Sequence, residues 1–438
     1  MNKAKDIFLI GFALFSLFFG AGNLLLPPLL GYKAGNNWLF VAIGFMITAV
    51  VIPIIGIMAH AKLQGTLYDF GKKVSPRFSF VYCILIYVIA VAIPSPRTAA
   101  ATHEIAIAPY FQIEPLFTSA IYFSLVLLFA LKRSTIVNLI GKFLTPIIVF
   151  MLLLVIIIGL FSSEMSAKVP SIETPFIIGT LEGYQTFDAI AAVVVGAVII
   201  ISINKLSAAS FESKKDLIIK SGFLAGLGLF IIYAGLIALG AYYSSEINVD
   251  GGMNNNIQRA DLLRNITTTS LSNFGNSILS VLISLACFTT AVGIVTGASD
   301  YFKGLCNNSQ LIYVVTALVS CIMGVAIGQL DFNSIILIAV PILLFIYPIT
   351  IVLIFLNVLP EKLATPKIFK SVVFITFLFT IPDIIGFVSP SERLSNLSSF
   401  IPLAQFSLGW VLPALVTFLG VVIYDNFHRP PEIKADNY

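Results

Sequence analysis

Apolar positions along this chain fall into long unbroken runs. They follow neither the i, i+3, i+4 stripe of a helix on a soluble core nor the alternation of a half-buried strand. Twelve such runs suit helices crossing a bilayer core of about 30 Å. Their approximate limits are 7–31, 39–61, 78–108, 116–131, 143–161, 176–202, 219–244, 271–300, 310–328, 334–357, 371–389 and 402–424. The third exceeds what a straight crossing needs, which predicts tilt or an outer extension. Met1-Asn2-Lys3-Ala4-Lys5 before an apolar run has the outline of a signal peptide. The run from Ile7 to Leu30 is longer than an h-region of about 7–15 residues and lacks a convincing cleavage site, so it reads as the first membrane helix.

The basic residues orient these spans. Nineteen of the 25 Lys and Arg fall on the side of the N-terminus and the even-numbered connections, among them Lys72, Lys73, Arg77, Lys214, Lys215 and Lys303. Lys33, Lys168, Arg259, Arg264 and Arg393 fall on the other side, and Arg97 lies within a span. Cytoplasmic loops carry the excess of Lys and Arg, so both termini are expected in the cytoplasm of a bacterial cell, with the chain multi-pass in its inner membrane. The longest outer connection, roughly 245–270, carries Gly251-Gly252-Met253-Asn254-Asn255-Asn256 and is too short for a folded domain.

Composition agrees with a chain whose solvent is lipid. Of 438 residues, 58% are hydrophobic and 11% charged, and the mean hydropathy is +1.00; a soluble domain carries about 25% charged residues. Cys83, Cys287, Cys306 and Cys321 have neither CxxC spacing nor His partners, and read as small apolar fillers. No GxxxxGK[ST], HExxH or GxSxG occurs. ATP-driven pumping and enzyme chemistry are therefore not expected. The implied energy source is an ion gradient, with no cofactor, nucleic acid or soluble protein partner called for.

In hydrocarbon, irregular backbone survives only where it lines a cavity or is buried in protein. The first span contains Phe18-Phe19-Gly20-Ala21-Gly22-Asn23-Leu24-Leu25-Leu26-Pro27-Pro28, where two glycines, an asparagine and a proline pair argue against continuous helix. Unwinding there frees carbonyls for a cation and leaves a positive half-helix N-terminus facing a carboxylate. Close packing through the glycines is the alternative. The sixth span contains Gly179-Thr180-Leu181-Glu182-Gly183-Tyr184-Gln185-Thr186-Phe187-Asp188-Ala189, again a glycine among polar side chains. Asp188 either attracts a cation, sodium or a substrate ammonium, or is satisfied by neighbouring hydroxyls. Interruptions in the first and sixth spans are what two inverted five-helix repeats would give, about 7–161 and 176–357, with extra helices at about 371–424 in one transmembrane domain, 1–438.

Two further stretches carry polar groups. The eighth span has Ser284-Leu285-Ala286-Cys287-Phe288-Thr289-Thr290-Ala291. Its two hydroxyls and the Ala286 carbonyl offer three hard oxygens to a small monovalent cation; threonine back-bonding to its own helix is equally open. The third span has Pro94-Ser95-Pro96-Arg97-Thr98 and then His103-Glu104. Arg97 either pairs with Glu104 two turns on or balances Asp188. At 1.5 Å per residue it lies roughly 28 Å above the start of its span, which favours the outer mouth. His103 is a proton site or a hydrogen-bonded interfacial residue, and Asp383 after Pro382 has no partner that the sequence names.

Three motifs, FFGAGNLLLPP (18–28), PRTA (96–99) and GYQTFDA (183–189), together with the twelve-span layout, resemble the bacterial branched-chain amino acid:cation symporter family over essentially the whole chain. The resemblance implies an all-α integral membrane protein with the five-plus-five inverted-repeat fold first seen in a bacterial leucine transporter, and two extra C-terminal helices. It implies a symporter that imports leucine, isoleucine or valine with sodium, one ion per substrate. Substrate would then meet Gly20, Ala21, Gly22 and Asn23 of the first break, and Tyr184, Gln185, Thr186, Phe187 and Asp188 of the sixth. Sodium would meet Ala286, Thr289 and Thr290, with the carbonyls of Ser16 and Phe19. A proton-coupled transporter of the same fold, with Asp188, Glu104 or His103 titrating, and an amino-acid sensor without net transport are the alternatives.

Overall fold

In the computed structural model, residues 3–132, 139–163, 166–206, 210–247, 255–388 and 400–428 are described, and every regular element among them is helical. Gly251 to Asn254, Arg133, Arg393, Arg429 and Lys434 lie outside these residues. All twelve apolar runs overlap helix. Among the described residues nine helical segments are long and apolar enough to cross a membrane, with Pro115–Leu131 and Val411–Phe427 shorter. Backbone groups in lipid must pair within their own segment, and helix achieves this. Several helices begin at a proline, whose missing N–H costs nothing in a first turn: Pro76, Pro94, Pro115 and Pro175. Ser75 caps the third span by accepting from the Phe78 N–H at 3.0 Å, and Asp331 caps the tenth by accepting from the Ser334 N–H at 2.9 Å. Large apolar side chains such as Phe150, Ile121 and Leu311 point outward unpaired. That is a lipid-facing surface rather than a wet one.

Three expectations are corrected. The outer connection at 245–270 is mostly helix: within Asn255–Leu305 two helices meet at a kink at Ser272, whose φ is +54°. Leu262, Leu263 and Ile266 bury one face of it, the first and last of them against Leu239 and Tyr243, and a hydropathy window sees only its polar average. The seventh span begins at Phe211, not 219, because a charged turn carrying the Lys215–Glu212 and Lys220–Asp216 pairs continues the helix beyond the apolar stretch. The twelfth begins at Val411, after left-handed turns at Leu403 and Ser407.

Two packings position the interior. The second half of the first span, Ala21–Ala34, lies so close to the seventh that a Cβ on Gly31 would fall 1.8 Å from the Ile237 carbonyl oxygen. The first half of the sixth, Pro175–Tyr184, lies on the second span through Gly179 and Gly183, one turn apart. A Cβ on Gly179 would meet the Val41 carbonyl oxygen at 2.2 Å. These small residues let backbones approach where lipid supplies no hydrophobic drive.

Candidate functional site

Both expected interruptions exist. The first span stops at Phe18 and resumes at Ala21. Gly20 donates its N–H to the Asn23 side-chain oxygen at 3.1 Å, not to Ser16 one turn back. The Ser16 carbonyl is thereby released from its helix. Gly22 and Asn23, expected in the unwound stretch, sit instead in the first turn of the second half-helix, and Pro27 and Pro28 lie inside it. Neighbouring helices and irregular local bonding make prolines tolerable at membrane depth.

The sixth span breaks between Tyr184 and Asp188. Its first half ends in tight i to i+3 bonds, Gln185 N–H to the Glu182 carbonyl at 3.0 Å and Phe187 N–H to that of Tyr184 at 3.1 Å. Phe187 then turns the chain with φ +64°, a left-handed conformation that costs a bulky residue about 1–3 kcal/mol and collects at functional sites. The Thr186 hydroxyl donates to the Gly183 carbonyl at 2.7 Å, and the Ala189 N–H of the restarted helix donates to the Tyr347 hydroxyl at 3.1 Å.

Asn23 joins the two breaks. Its side-chain amide donates to both Asp188 oxygens, at 2.9 and 2.8 Å, and to the Tyr233 hydroxyl, which in turn donates to Asp188 at 3.1 Å. Asp188 is fully buried. Its carboxylate thus accepts from an amide and a phenol. Tyr233 was not legible beforehand; its one signal is a hydroxyl in the middle of an apolar run, which must find a partner when buried.

The five oxygens expected to hold an ion come together. Thr289 Oγ1 lies 2.9 Å from the Ser16 carbonyl oxygen and 3.0 Å from that of Ala286. Thr290 Oγ1 lies 3.3 Å from the Phe19 carbonyl oxygen and 3.2 Å from that of Ala286. The Ser16 hydroxyl donates to Thr289 Oγ1 at 3.0 Å and adds a sixth oxygen that the sequence reading omitted. The cluster is uncharged and oxygen-only, buried except at Thr290, which is half-buried, and this is the donor set that suits a small hard cation. Both threonines also bond back to Ala286 one turn earlier, so their own helix shares in them.

Between the breaks lies a cavity of about 30 Å³, the room of roughly one water. Gly20, Ala21, Asn23, Thr186 and Phe187 line it, as does Thr290; Gly22, Tyr184, Gln185 and Asp188 stand behind the lining. Tyr184 stacks on Tyr347, with ring centres 4.5 Å apart.

Arg97 lines the cavity too, at the centre and not at the outer mouth. Its span kinks at Ile93 and the side chain reaches inward, which a straight rise per residue does not anticipate. Neither expected ion pair forms among the described residues: Glu104 accepts from the Phe332 N–H at 2.7 Å, and Arg97 donates to the Gln185 carbonyl at 2.9 Å. His103 bonds the Thr118 hydroxyl at 2.8 Å. Cys83, Cys287 and Cys321 are buried and Cys306 is exposed, all as free thiols.

The profile of a family described as "Branched-chain amino acid transport protein" matches residues 3–428. "Branched-chain amino acid permease BraB" of Bacillus subtilis (strain 168) is 32% identical over 434 residues, 96% of this chain and 94% of that protein. "Branched-chain amino acid transport system 2 carrier protein" of Pseudomonas aeruginosa is 29% identical, over 98% of each chain. Among solved structures, a Na+-coupled sialic acid symporter in a substrate-bound outward-open state superposes with TM-score 0.64 at 13% identity, covering 95% of this chain and 89% of that one. MhsT in complex with L-phenylalanine gives 0.54 at 16% identity, covering 95% and 98%. At such identities the likeness is one of fold, and it is that of helical membrane transporters.

Proposed function

Because this chain belongs to the branched-chain amino acid transport protein family, we propose that it is a symporter that carries leucine, isoleucine or valine into the bacterial cell together with sodium. The observation that carries the reading is the convergence of the Ser16, Phe19 and Ala286 carbonyls with the Thr289 and Thr290 hydroxyls at the first break. An ion seated there bridges the broken first span to the eighth. Thr290 belongs both to that cluster and to the cavity lining, so ion and substrate would be neighbours, which is what coupling requires.

In this reading the amino acid enters between the two breaks. Its carboxylate faces the N-terminus of Ala21–Ala34, whose first turn leaves N–H groups unpaired and carries the positive end of the helix dipole. The ammonium faces the carbonyl edge around Thr186, and the aliphatic side chain the apolar wall formed by Ile190 and Ile294. Asp188 serves as the strut that holds Asn23. In the same reading both termini lie in the cytoplasm, which the asymmetry of Lys and Arg supports.

The test is uptake of labelled leucine into liposomes holding the purified protein. Accumulation is expected with an inward sodium gradient and not with potassium in its place. Accumulation driven by a pH gradient without sodium would replace ion coupling at the threonines by proton coupling. Binding of leucine without any accumulation would make the protein a sensor.

A further inference from the structure

We infer that Arg97 is the group that receives the carboxylate of the transported amino acid. The inference rests on the substrate reading above and adds a residue to it. Arg97 is 3% exposed and lies at membrane depth, where a charge is costly unless something opposite in sign answers it. Among the described residues no carboxylate stands within ion-pair distance. The two acids that might serve are engaged elsewhere, Glu104 with the Phe332 N–H and Asp188 with Asn23 and Tyr233. What holds the guanidinium is neutral: the Gln185 carbonyl at 2.9 Å, and the rings of Phe187 and Phe332 at 5.1 and 5.4 Å.

The second observation is where this cation sits. A Cβ built on Gly22 would lie 2.4 Å from Arg97 Nη2, so the guanidinium is pressed against the first turn of Ala21–Ala34. A helix N-terminus favours anions and repels cations. Two positive features thus face one cavity, and Asp188, the acid that acts on Arg97 through space, stands outside its lining, bonded to Asn23 and Tyr233. An α-carboxylate placed there answers both at once, accepting from the fork of the guanidinium and from the helix N–H groups. Glycine at 22 is what allows the two to stand so close. The Gln185 carbonyl occupies the guanidinium until the carboxylate arrives, and releasing it frees the backbone of the sixth break.

The experiment compares binding of leucine, leucinamide and leucinol to the purified full chain, wild type and Arg97 variants, in one buffer. Removing one partner of a buried charge pair costs roughly 30-fold or more in affinity. The wild type is expected to prefer leucine over leucinamide by about that factor. Arg97→Gln should weaken leucine while leaving leucinamide nearly unchanged, so that the preference collapses. Arg97→Met, which keeps length and apolar stem, should do the same, and Arg97→Lys should retain part of the preference. A variant that loses affinity for leucine and leucinamide equally, or keeps the wild-type preference, overturns the inference. If no variant folds, the wild type still decides: equal binding of leucine and leucinamide removes the role of Arg97 alone. Failure of the wild type to bind any branched-chain amino acid removes the substrate reading and this inference with it.

Discussion

Thr290→Val isolates the proposed ion site with little damage to the fold. Valine replaces the hydroxyl by a methyl at nearly constant volume. The hydrogen bonds lost, at 3.2 and 3.3 Å, are long for O–H···O contacts, so the folded state should lose no more than about 1 kcal/mol. A cation bound there loses one of its oxygen ligands, about 1–3 kcal/mol by analogy with a hydrogen bond to a charged group, which is roughly 5- to 150-fold in sodium affinity. Thr289→Val is the harsher change. It removes contacts at 2.9 and 3.0 Å and strands the Ser16 hydroxyl, so thermal stability should fall together with sodium affinity. The assay is leucine binding as a function of sodium. For Thr290→Val the half-saturating sodium concentration should rise, and leucine affinity should return toward the wild-type value once sodium saturates, because the two equilibria are linked. An unchanged half-saturating concentration in Thr290→Val would refute the site. An affinity for leucine that stays low at saturating sodium would make Thr290 a substrate contact instead.

Gly22→Ala sets a methyl 2.4 Å from Arg97 Nη2, so the guanidinium must shift; leucine affinity should fall at normal membrane levels, and undiminished uptake by Gly22→Val would show that the contact is irrelevant. Tyr233→Phe removes a hydroxyl that donates to Asp188 and should cost about 1.5–3 kcal/mol of stability, read as a lower Tm, without altering the sodium concentration that half-activates binding. Cys306, the exposed thiol among the four cysteines, lies on the side assigned to the cytoplasm; an impermeant thiol reagent should label it in inside-out vesicles and not in intact cells, and labelling from outside would invert the topology.

What the sequence made legible is what lipid makes local. An apolar run in a bilayer must be helix, and a break in that helix must be buried, so the spans and both interruptions follow from residue types alone. The oxygens at Ser16, Phe19, Ala286, Thr289 and Thr290 were nameable from motif spacing and family resemblance, and they do meet. The position of the first break was misjudged because Gly22 and the prolines were read as helix breakers. Gly22 is a packing residue within a helix, and Pro27 and Pro28 lie in its later turns. Arg97, Tyr233 and Tyr347 were not legible as site residues for a different reason. Each meets partners scores of residues away, and such contacts depend on how spans tilt and kink, which no periodicity records. The helix from Asn255 was hidden because its buried face, Leu262, Leu263 and Ile266, is narrow and its average is polar.

Asn23 shows how a single polar residue can build a site in a medium hostile to polar groups. Its side-chain oxygen takes the Gly20 N–H, which releases the Ser16 carbonyl from its helix and turns it toward Thr289. Its amide nitrogen is pinned by Asp188 and Tyr233, so the first break is held at a fixed distance from the sixth and seventh spans. An aspartate at position 188 without Asn23 would be a buried charge lacking its main donors, and Asn23 without Asp188 would have no fixed orientation from which to cap Gly20. The oxygen cluster around Thr289 and the cavity between the breaks therefore rest on one hydrogen-bonded assembly. A shift of the sixth break that follows release of the Gln185 carbonyl would be transmitted through Asp188 and Asn23 to the carbonyls around Gly20. That is a physical route by which occupancy of one site can change the affinity of the other, through hydrogen bonds of about 3 Å joined by short stretches of backbone.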